Sequence, residues 1–278
     1  KSELDRWVED ASKSVNTSIY DDDRVSWART SFVQPQLMFH DRFLYDRIRN
    51  EWTVEKYLTD VIERYGGIDS VLLWQGYPNI GVDDRNQFDM LDSLPGGLEG
   101  LKKLINDFSQ HNVRVLLAYL PWDQGTRNTG QSDVVTMIDT IISTGSSGMN
   151  GDTLDGVNRS FWEESLLYDY PIVVEPEFMM SHYEYLSYDV MSWGYWTESF
   201  PWNPVTPLVS TYKAITGGRH LTHICERWQT HRTAALQYAF FNGVGYESWE
   251  NVWGIWNQFT PRDGAALKRS STILRQFG

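Results

Sequence analysis

The stretch GMNGDTLDGVNRSFWEESLLYDYPIVVEPE, residues 148–177, decides how this chain folds. It contains two short apolar runs at 148–153 and 172–177, and between them an amphipathic stretch at 159–168. A strand that returns through a helix to a second strand is the repeating unit of a parallel sheet. The stretch therefore predicts one βα unit, and the number of such units in the chain determines the fold.

The same alternation extends in both directions from about Leu37 to the end of the chain. The predicted strands are Gln36–His40, Ser70–Trp74, Val113–Pro121, Gly148–Thr153, Ile172–Glu177, Val190–Tyr195, His220–Arg227 and Gly245–Glu250. The predicted helices are 53–65, 97–111, 131–144, 159–168, 182–187, 204–215, 231–242 and 261–276. An open doubly wound sheet would also alternate in this way, but eight units and the lack of a glycine-rich nucleotide fingerprint favour a closed (β/α)8 barrel.

The domain organisation follows from length and local pattern. Barrels of about 250 residues form one domain, and this chain has 278 residues. Residues 1–33 combine a short helical pattern with a polar stretch that contains three consecutive aspartates. We predict that they form an N-terminal lead-in outside the barrel, and that residues 34–278 form the barrel domain.

Charge and composition exclude several classes of partner. The chain carries 37 acidic and 24 basic side chains, a net charge of −13, which would repel nucleic acid and anionic membranes. No apolar run is long enough for a membrane span. The single cysteine, Cys225, excludes an internal disulfide, and the histidines are scattered: His220 and His223 lie on opposite faces of a strand. We expect no metal and no cofactor.

Carboxylates stand at or near the ends of most predicted strands. The reactive groups of parallel barrels lie at the carboxyl ends of the strands, and ionisable groups there are costly to bury unless they are paired. Their concentration indicates a functional site more than a set of strand-end caps and ion pairs. Glycosidic cleavage needs two carboxyl groups that flank the bond, and the candidate catalytic residues are Asp152, Glu177 and Glu250.

Asp152 is the predicted nucleophile because it follows a glycine at the end of the fourth strand, where a short side chain is held stiffly. The alternative is that Asp152 only caps the turn over residues 152–157. No motif in the chain supports other hydrolytic chemistry, since a nucleophile elbow and a phosphate-binding loop are both missing from the sequence.

Glu177 is the preferred acid/base residue. It shares a face of the fifth strand with Glu175, and neighbouring carboxylates raise each other's proton affinity. The alternative is a buried pair that Arg227 or Lys213 neutralises. Glu247 and Glu250 on the eighth strand are rival acids, and sequence spacing does not rank Glu226, Glu247 and Glu250.

Aromatic side chains beside polar ones indicate the ligand class. The chain holds 13 Trp and 15 Tyr, whose flat apolar faces and polar edges match the apolar face and hydroxyl rim of a sugar ring. Any one of these indoles could equally belong to the core. The predicted substrate-binding residues are Trp74, Asp83, Asp84, Arg85, Trp122, Asp123, Glu175, Trp193, Glu226, Arg227, Trp228, Glu247, Trp249 and Trp253.

Several segments resemble barrel proteins related to glycoside hydrolases of the α-galactosidase type. The segments are LLWQGYPNIGVDDRNQFD, YLPWDQGTR, NGDTLDGV, VEPE, MSWGYW and GYESWENVWGIWNQ. The resemblance implies a nucleophilic aspartate at the end of strand four, which maps onto Asp152, and an aspartate acid at the end of strand six. Here strand six has no carboxylate before Glu198, and the pairing of a strand-four Asp with a strand-five Glu is instead similar to the α-amylase type.

The resemblance also implies that a C-terminal β-sandwich or a partner chain accompanies the barrel. We expect a retaining glycosidase that acts on an oligo- or polysaccharide. The sequons at Asn16 and Asn158 favour an extracellular or secretory location. The alternatives are a non-catalytic glycan-binding or structural barrel of an extracellular assembly, and an aldolase or isomerase for phosphorylated metabolites, which the negative charge and the lack of strand-end lysines disfavour.

Overall fold

The structure, a computed structural model, describes residues 3–77, 83–196, 208–225 and 230–277. Eight parallel strands, named β1 to β8 in chain order, form one sheet. Their bounds are Val33–Met38, Ser70–Trp74, Arg114–Tyr119, Gly148–Gly151, Val173–Pro176, Met191–Trp196, Leu221–Cys225 and Gly245–Ser248.

The hydrogen-bonded order of the strands is β5, β4, β3, β2, β1, β8, β7, β6. The two edge strands, β5 and β6, lie side by side, so the sheet curls into a nearly closed barrel. Each predicted strand coincides with one of these eight, although β1 starts three residues earlier than predicted. The predicted (β/α)8 barrel is confirmed.

Nine α-helices lie within the described residues. Their bounds, from α1 to α9, are Glu3–Ser12, Val54–Tyr65, Gln87–Asp92, Gly97–Gln110, Asp133–Thr144, Arg159–Leu167, Leu208–Thr216, Thr233–Asn242 and Pro261–Phe277. The short helix α3 was not predicted. The helix predicted at 182–187 is a 3-10 helix, Tyr183–Ser187, and of the one predicted at 204–215 the described part begins at Leu208.

Helix ends follow the expected local chemistry. The Ser132 hydroxyl caps α5 by accepting the amide hydrogen of Val135, and Gly145 ends the same helix with a φ of 79°. Two short antiparallel ribbons project beside the barrel, formed by Tyr45–Asp46 with Glu51–Trp52 and by Asn251–Val252 with Ile255–Trp256. In the ranges described, no helix has both the length and the apolar surface needed to cross a bilayer.

Side chains alternate between the two faces of each strand. On β2, Val71 and Leu73 pack outward against the helices, while Leu72 and Trp74 pack inside the barrel. The large cluster between strands and helices supplies most of the buried apolar surface, and the interior cluster is smaller. The barrel interior therefore has room for polar side chains at mid-height.

The lead-in closes the amino end of the barrel. Its side chains Ile19, Tyr20, Val25, Ala28 and Phe32 are buried in the same cluster as the inward-facing strand residues. They shield apolar surface at the bottom of the interior from water. The division into a lead-in at 1–33 and a barrel domain at 34–278 stays a prediction.

Candidate active site at the carboxyl ends of the strands

Asp152 and Glu177 lie next to each other at the carboxyl ends of β4 and β5. The register pairs Asn150 with Glu175, and the Glu177 amide continues the ladder by donating to the Gly151 carbonyl at 3.1 Å. Neighbouring strands are about 4.8 Å apart, and alternate residues share a face. Both carboxyls therefore face the barrel axis, where they are 7% and 5% exposed.

Each of these carboxylates accepts a hydrogen bond from a neighbouring loop. The Trp122 indole donates from Nε1 to Asp152 Oδ2 at 2.6 Å, and the Thr153 amide donates to Glu177 Oε2 at 2.7 Å. Thr153 adopts a φ of 59°, a conformation that β-branched residues rarely adopt. The strained backbone turns the Thr153 amide toward Glu177, and strain of this kind is concentrated at functional sites.

A chain of aromatic rings starts at Asp152 and runs along the mouth. Trp122 stacks on Tyr77, with ring centroids 5.1 Å apart and planes 28° apart. Tyr77 contacts Trp253 at 5.5 Å, and Trp253 contacts Trp249 at 5.4 Å. This aromatic row, which we define as Trp122, Tyr77 and Trp253, lies directly beside the candidate carboxylates.

The predicted tryptophans divide into two groups. Trp74, Trp193 and Trp249 are almost fully buried and belong to the packing of the barrel, while Trp122 is half-buried and Trp253 is 37% exposed. Tyr77, half-buried at the centre of the row, was missed by the sequence analysis. Its signal was present, since Tyr77 follows β2 in the polar and aromatic loop that was singled out.

Below the mouth, polar side chains fill the barrel interior. His223 Nδ1 lies 2.7 Å from Glu175 Oε1, and His223 Nε2 donates to the Ser31 carbonyl at 2.7 Å. The Gln34 amide is oriented so that its nitrogen donates to Glu175 Oε2 and Glu247 Oε2, both at 3.0 Å. Because Nε2 donates to a carbonyl oxygen, it carries a hydrogen, and Nδ1 is the ring nitrogen that pairs with the Glu175 carboxyl.

Glu175 and Glu247, predicted to bind substrate, are thus fully enclosed. The partner of Glu175 is His223 and not Lys213, whose Nζ donates to the carbonyls of Asn242 and Gly243. His223 was assigned no role from the sequence, but its predicted placement on the face opposite His220 agrees with the structure. Contact of Glu175 or Glu247 with a sugar stays a prediction, and the burial of both side chains argues against it.

Glu250 lies away from the Asp152 and Glu177 pair. Arg64 of α2 holds its carboxylate through two bonds, Nη1 to Oε1 at 2.7 Å and Nη2 to Oε2 at 2.9 Å, and the Phe259 amide adds a third. Since α2 packs outside the barrel, Glu250 points to the helix side of the sheet. The structure therefore corrects its placement as a rival acid at the mouth.

The charged residues of the β2 and β3 loops are paired with each other. Arg85 holds the pKa of the Asp83 carboxyl below its usual range, and Arg127 does the same for Asp84. Asp123 accepts hydrogen bonds from the Gln87 amide and the Thr126 hydroxyl, and so anchors the start of α3. Asp83, Asp84 and Arg85 remain at the surface near the mouth, as predicted ligands of sugar hydroxyls.

Three predicted substrate-binding residues, Glu226, Arg227 and Trp228, lie outside the described residues. The described strand before them, β7, ends at Cys225. The predicted acid position at the end of β6 carries no carboxylate within Met191–Trp196.

Solved structures share the barrel. An α-N-acetylgalactosaminidase from Bifidobacterium bifidum superposes with a TM-score of 0.61 at 14% identity, over 98% of this chain and 55% of that one. A maltogenic α-amylase from Thermotoga neapolitana gives 0.55 at 10% identity, over 89% of this chain and 77% of that one. A debranching enzyme from Nostoc punctiforme gives 0.52 at 12% identity, over 90% and 82%.

The shared feature is the (β/α)8 barrel. The identities are too low to carry residues across, and the chain spans only a little over half the length of the α-N-acetylgalactosaminidase. No family model matches the sequence, and a search of curated proteins gives no match.

Proposed function

We propose that this chain hydrolyses a glycosidic bond of an oligo- or polysaccharide with retention at the anomeric carbon. The observation that carries the proposal is the placement of Asp152 and Glu177 on adjacent strand ends beside half-buried aromatic rings. Retaining enzymes hold their two carboxyl groups about 5–5.5 Å apart. Neighbouring strands about 4.8 Å apart are compatible with that separation.

Two steps transfer the sugar to water. Glu177 gives a proton to the glycosidic oxygen while an Asp152 oxygen attacks the anomeric carbon, so the leaving group departs as an alcohol and an ester bond forms to the enzyme. Glu177 then takes a proton from water, whose oxygen displaces Asp152. Trp122 donates a hydrogen bond to Asp152 Oδ2 and so holds the carboxylate in place.

The structural neighbours support this proposal because an α-N-acetylgalactosaminidase, a maltogenic α-amylase and a debranching enzyme act on carbohydrates. The net charge of −13 suits a neutral ligand better than a phosphorylated one. Asn16 and Asn158, the acceptor residues of the two sequons, are exposed, which is compatible with the proposed extracellular or secretory location.

Turnover of a glycoside panel tests the proposal. The panel contains p-nitrophenyl α-N-acetylgalactosaminide, α-galactoside and α-glucoside, and malto-oligosaccharides assayed by released reducing ends. Glu177→Gln should lower kcat by about 10²–10⁴, and Asp152→Asn should lower it at least as much. Asp155→Asn, an exposed residue of the same loop, is the matched control and should retain activity.

The stereochemistry of the first product completes the test. Retention predicts that the anomer seen first by proton NMR has the configuration of the substrate. If Asp152→Asn were as active as the parent on a substrate that the parent cleaves, the nucleophile assignment would be wrong. If the first product were inverted, Asp152 and Glu177 would keep their place in the mechanism, but the proposed covalent intermediate would be wrong.

A glycan-binding barrel without turnover is the second candidate. It is favoured by the end of β6, which carries no carboxylate within Met191–Trp196. Saturable binding of an oligosaccharide by calorimetry, without release of reducing ends, would decide for this candidate.

A further inference from the structure

The ribbon that follows β8 holds a tryptophan in a conformation that tryptophan rarely adopts. Asn251–Val252 pairs with Ile255–Trp256, so Trp253 and Gly254 form a two-residue loop. Their φ angles are 54° and 77°, which is the pattern of a type I′ turn. Such turns prefer Asn-Gly, and a bulky residue at the first position is strained.

The indole at this position also packs against the buried Trp249, with ring centroids 5.4 Å apart. Trp253 is 37% exposed, and its ring contacts lead toward the candidate carboxylates through Tyr77 and Trp122. Trp122 in turn donates to Asp152. The aromatic row therefore extends outward from the nucleophile by two ring-to-ring steps, with its last member fixed by the strained turn.

The neighbouring indole of the same ribbon differs in its surroundings. Trp256 is 43% exposed, but Phe43 stacks on it and the Arg42 guanidinium lies 4.1 Å from its ring centroid. The ring contacts of Trp256 are thus with Phe43 and Arg42, and it is not a member of the row. The two indoles provide a matched pair, equally exposed and three residues apart.

We propose that Trp253 and Tyr77 form a second sugar subsite, so that the ligand is a chain of several sugar units and not a single terminal residue. The inference rests on the proposed function, which places the cleaved bond at Asp152. A sugar unit at Asp152 covers Trp122, and the next unit along the chain reaches Tyr77 and Trp253. The strain at Trp253 is retained because the ring serves the ligand, and strain of this kind persists at binding sites.

Binding is measured on an array that presents oligosaccharides of one to six units from several glycan classes, with Asp152→Asn as the background so that no glycan is cleaved. Trp253→Asn removes the ring and places the preferred residue in the turn, and Trp253→Phe keeps a ring. Trp256→Asn is the control. Hydrolysis of the best array ligand and of its single-unit glycoside is measured in parallel on the variants that retain Asp152.

We expect Trp253→Asn to bind chains of three or more units roughly threefold to tenfold more weakly, to bind single units as the parent does, and to melt at the same or a higher temperature. Trp253→Phe should restore most of the binding, and Trp256→Asn should match the parent. A drop in melting temperature with unchanged binding of long chains would overturn the inference, because the ring would then serve the fold.

Hydrolysis separates this inference from the proposed function. Cleavage that is independent of chain length and insensitive to Trp253→Asn would overturn the subsite and leave the glycosidase. Length-dependent binding that Trp253→Asn removes, without cleavage by the parent, would uphold the subsite and reject the glycosidase. Binding of no glycan on the array would overturn the subsite, and cleavage of no panel substrate would overturn the glycosidase.

Discussion

Replacing Glu175 with alanine should destabilise the barrel strongly. Its carboxyl is fully enclosed and has three partners: His223 Nδ1 at 2.7 Å, the Gln34 amide at 3.0 Å and Asn150 Nδ2 at 3.3 Å. Removing one member of a buried ionic pair costs about 3–5 kcal/mol, and each donor left unpaired adds about 1–3 kcal/mol. Relaxation of the cavity offsets part of this, so we expect a loss of about 3–5 kcal/mol.

Glu175→Gln should be much less costly. A glutamine has the same shape, and its amide can donate to His223 Nδ1 while its carbonyl oxygen accepts from Gln34 and Asn150. His223 keeps the hydrogen that Nε2 donates to the Ser31 carbonyl. We expect a loss of about 1 kcal/mol, which is the net value of an ordinary hydrogen bond.

Guanidinium unfolding at pH 7, followed by tryptophan fluorescence, measures both variants. Glu63→Ala, an exposed glutamate on α2, is the control and should fall within about 0.5 kcal/mol of the parent. A loss below about 1 kcal/mol for Glu175→Ala would refute the buried network. Equal losses for the alanine and glutamine variants would show that the network requires the charge of the carboxylate, and would refute the small cost expected for Glu175→Gln.

Three further predictions follow from buried groups. Burial lowers the pKa of His220 from 6.5 to about 3. The stability that neutral His220 contributes should therefore be lost as pH falls from 6.5 toward 3. His220→Asn should flatten this part of the curve of melting temperature against pH. Burial raises the pKa of Asp189 well above its usual range, so its contribution is lost as pH rises, and the gain in melting temperature from Asp189→Asn should grow from pH 4 to pH 8. A Cβ at Gly148 would lie 1.9 Å from the Val173 carbonyl oxygen, so Gly148→Ala should lower the free energy of unfolding by about 1–3 kcal/mol or more in chemical unfolding. Gly125→Ala is the control at an open site with a φ of 77°, and it should lower the free energy of unfolding by about 1 kcal/mol.

The fold was predictable because the strands are short, apolar and regularly spaced. At residues 148–177 the predicted strand, helix and strand match β4, α6 and β5 to within a few residues. Packing of the lead-in was not predictable, because its polar surface residues conceal the few apolar side chains that enter the barrel. Between Ile19 and Phe32 lie three aspartates and two arginines.

From the sequence, the strand ends that form the site could be predicted, but not the contacts between their side chains. Asp152, Glu177 and Trp122 meet because β3, β4 and β5 are consecutive neighbours in the sheet. The network of Glu175, His223 and Gln34 was not predictable, since it joins β5, β7 and β1 across the barrel interior. Sequence spacing contains no information about distances across that interior.

The placement of Glu250 was nonetheless open to inference from strand geometry. Residues three apart on a strand point to opposite faces, which was applied to His220 and His223 and holds for them. The same rule separates Glu247 from Glu250. Once Glu247 is inside the barrel, Glu250 belongs on the helix side, where Arg64 binds it. Glu247 and Glu250 therefore face opposite sides of the sheet, and Glu250 does not share the interior of the barrel with Glu247.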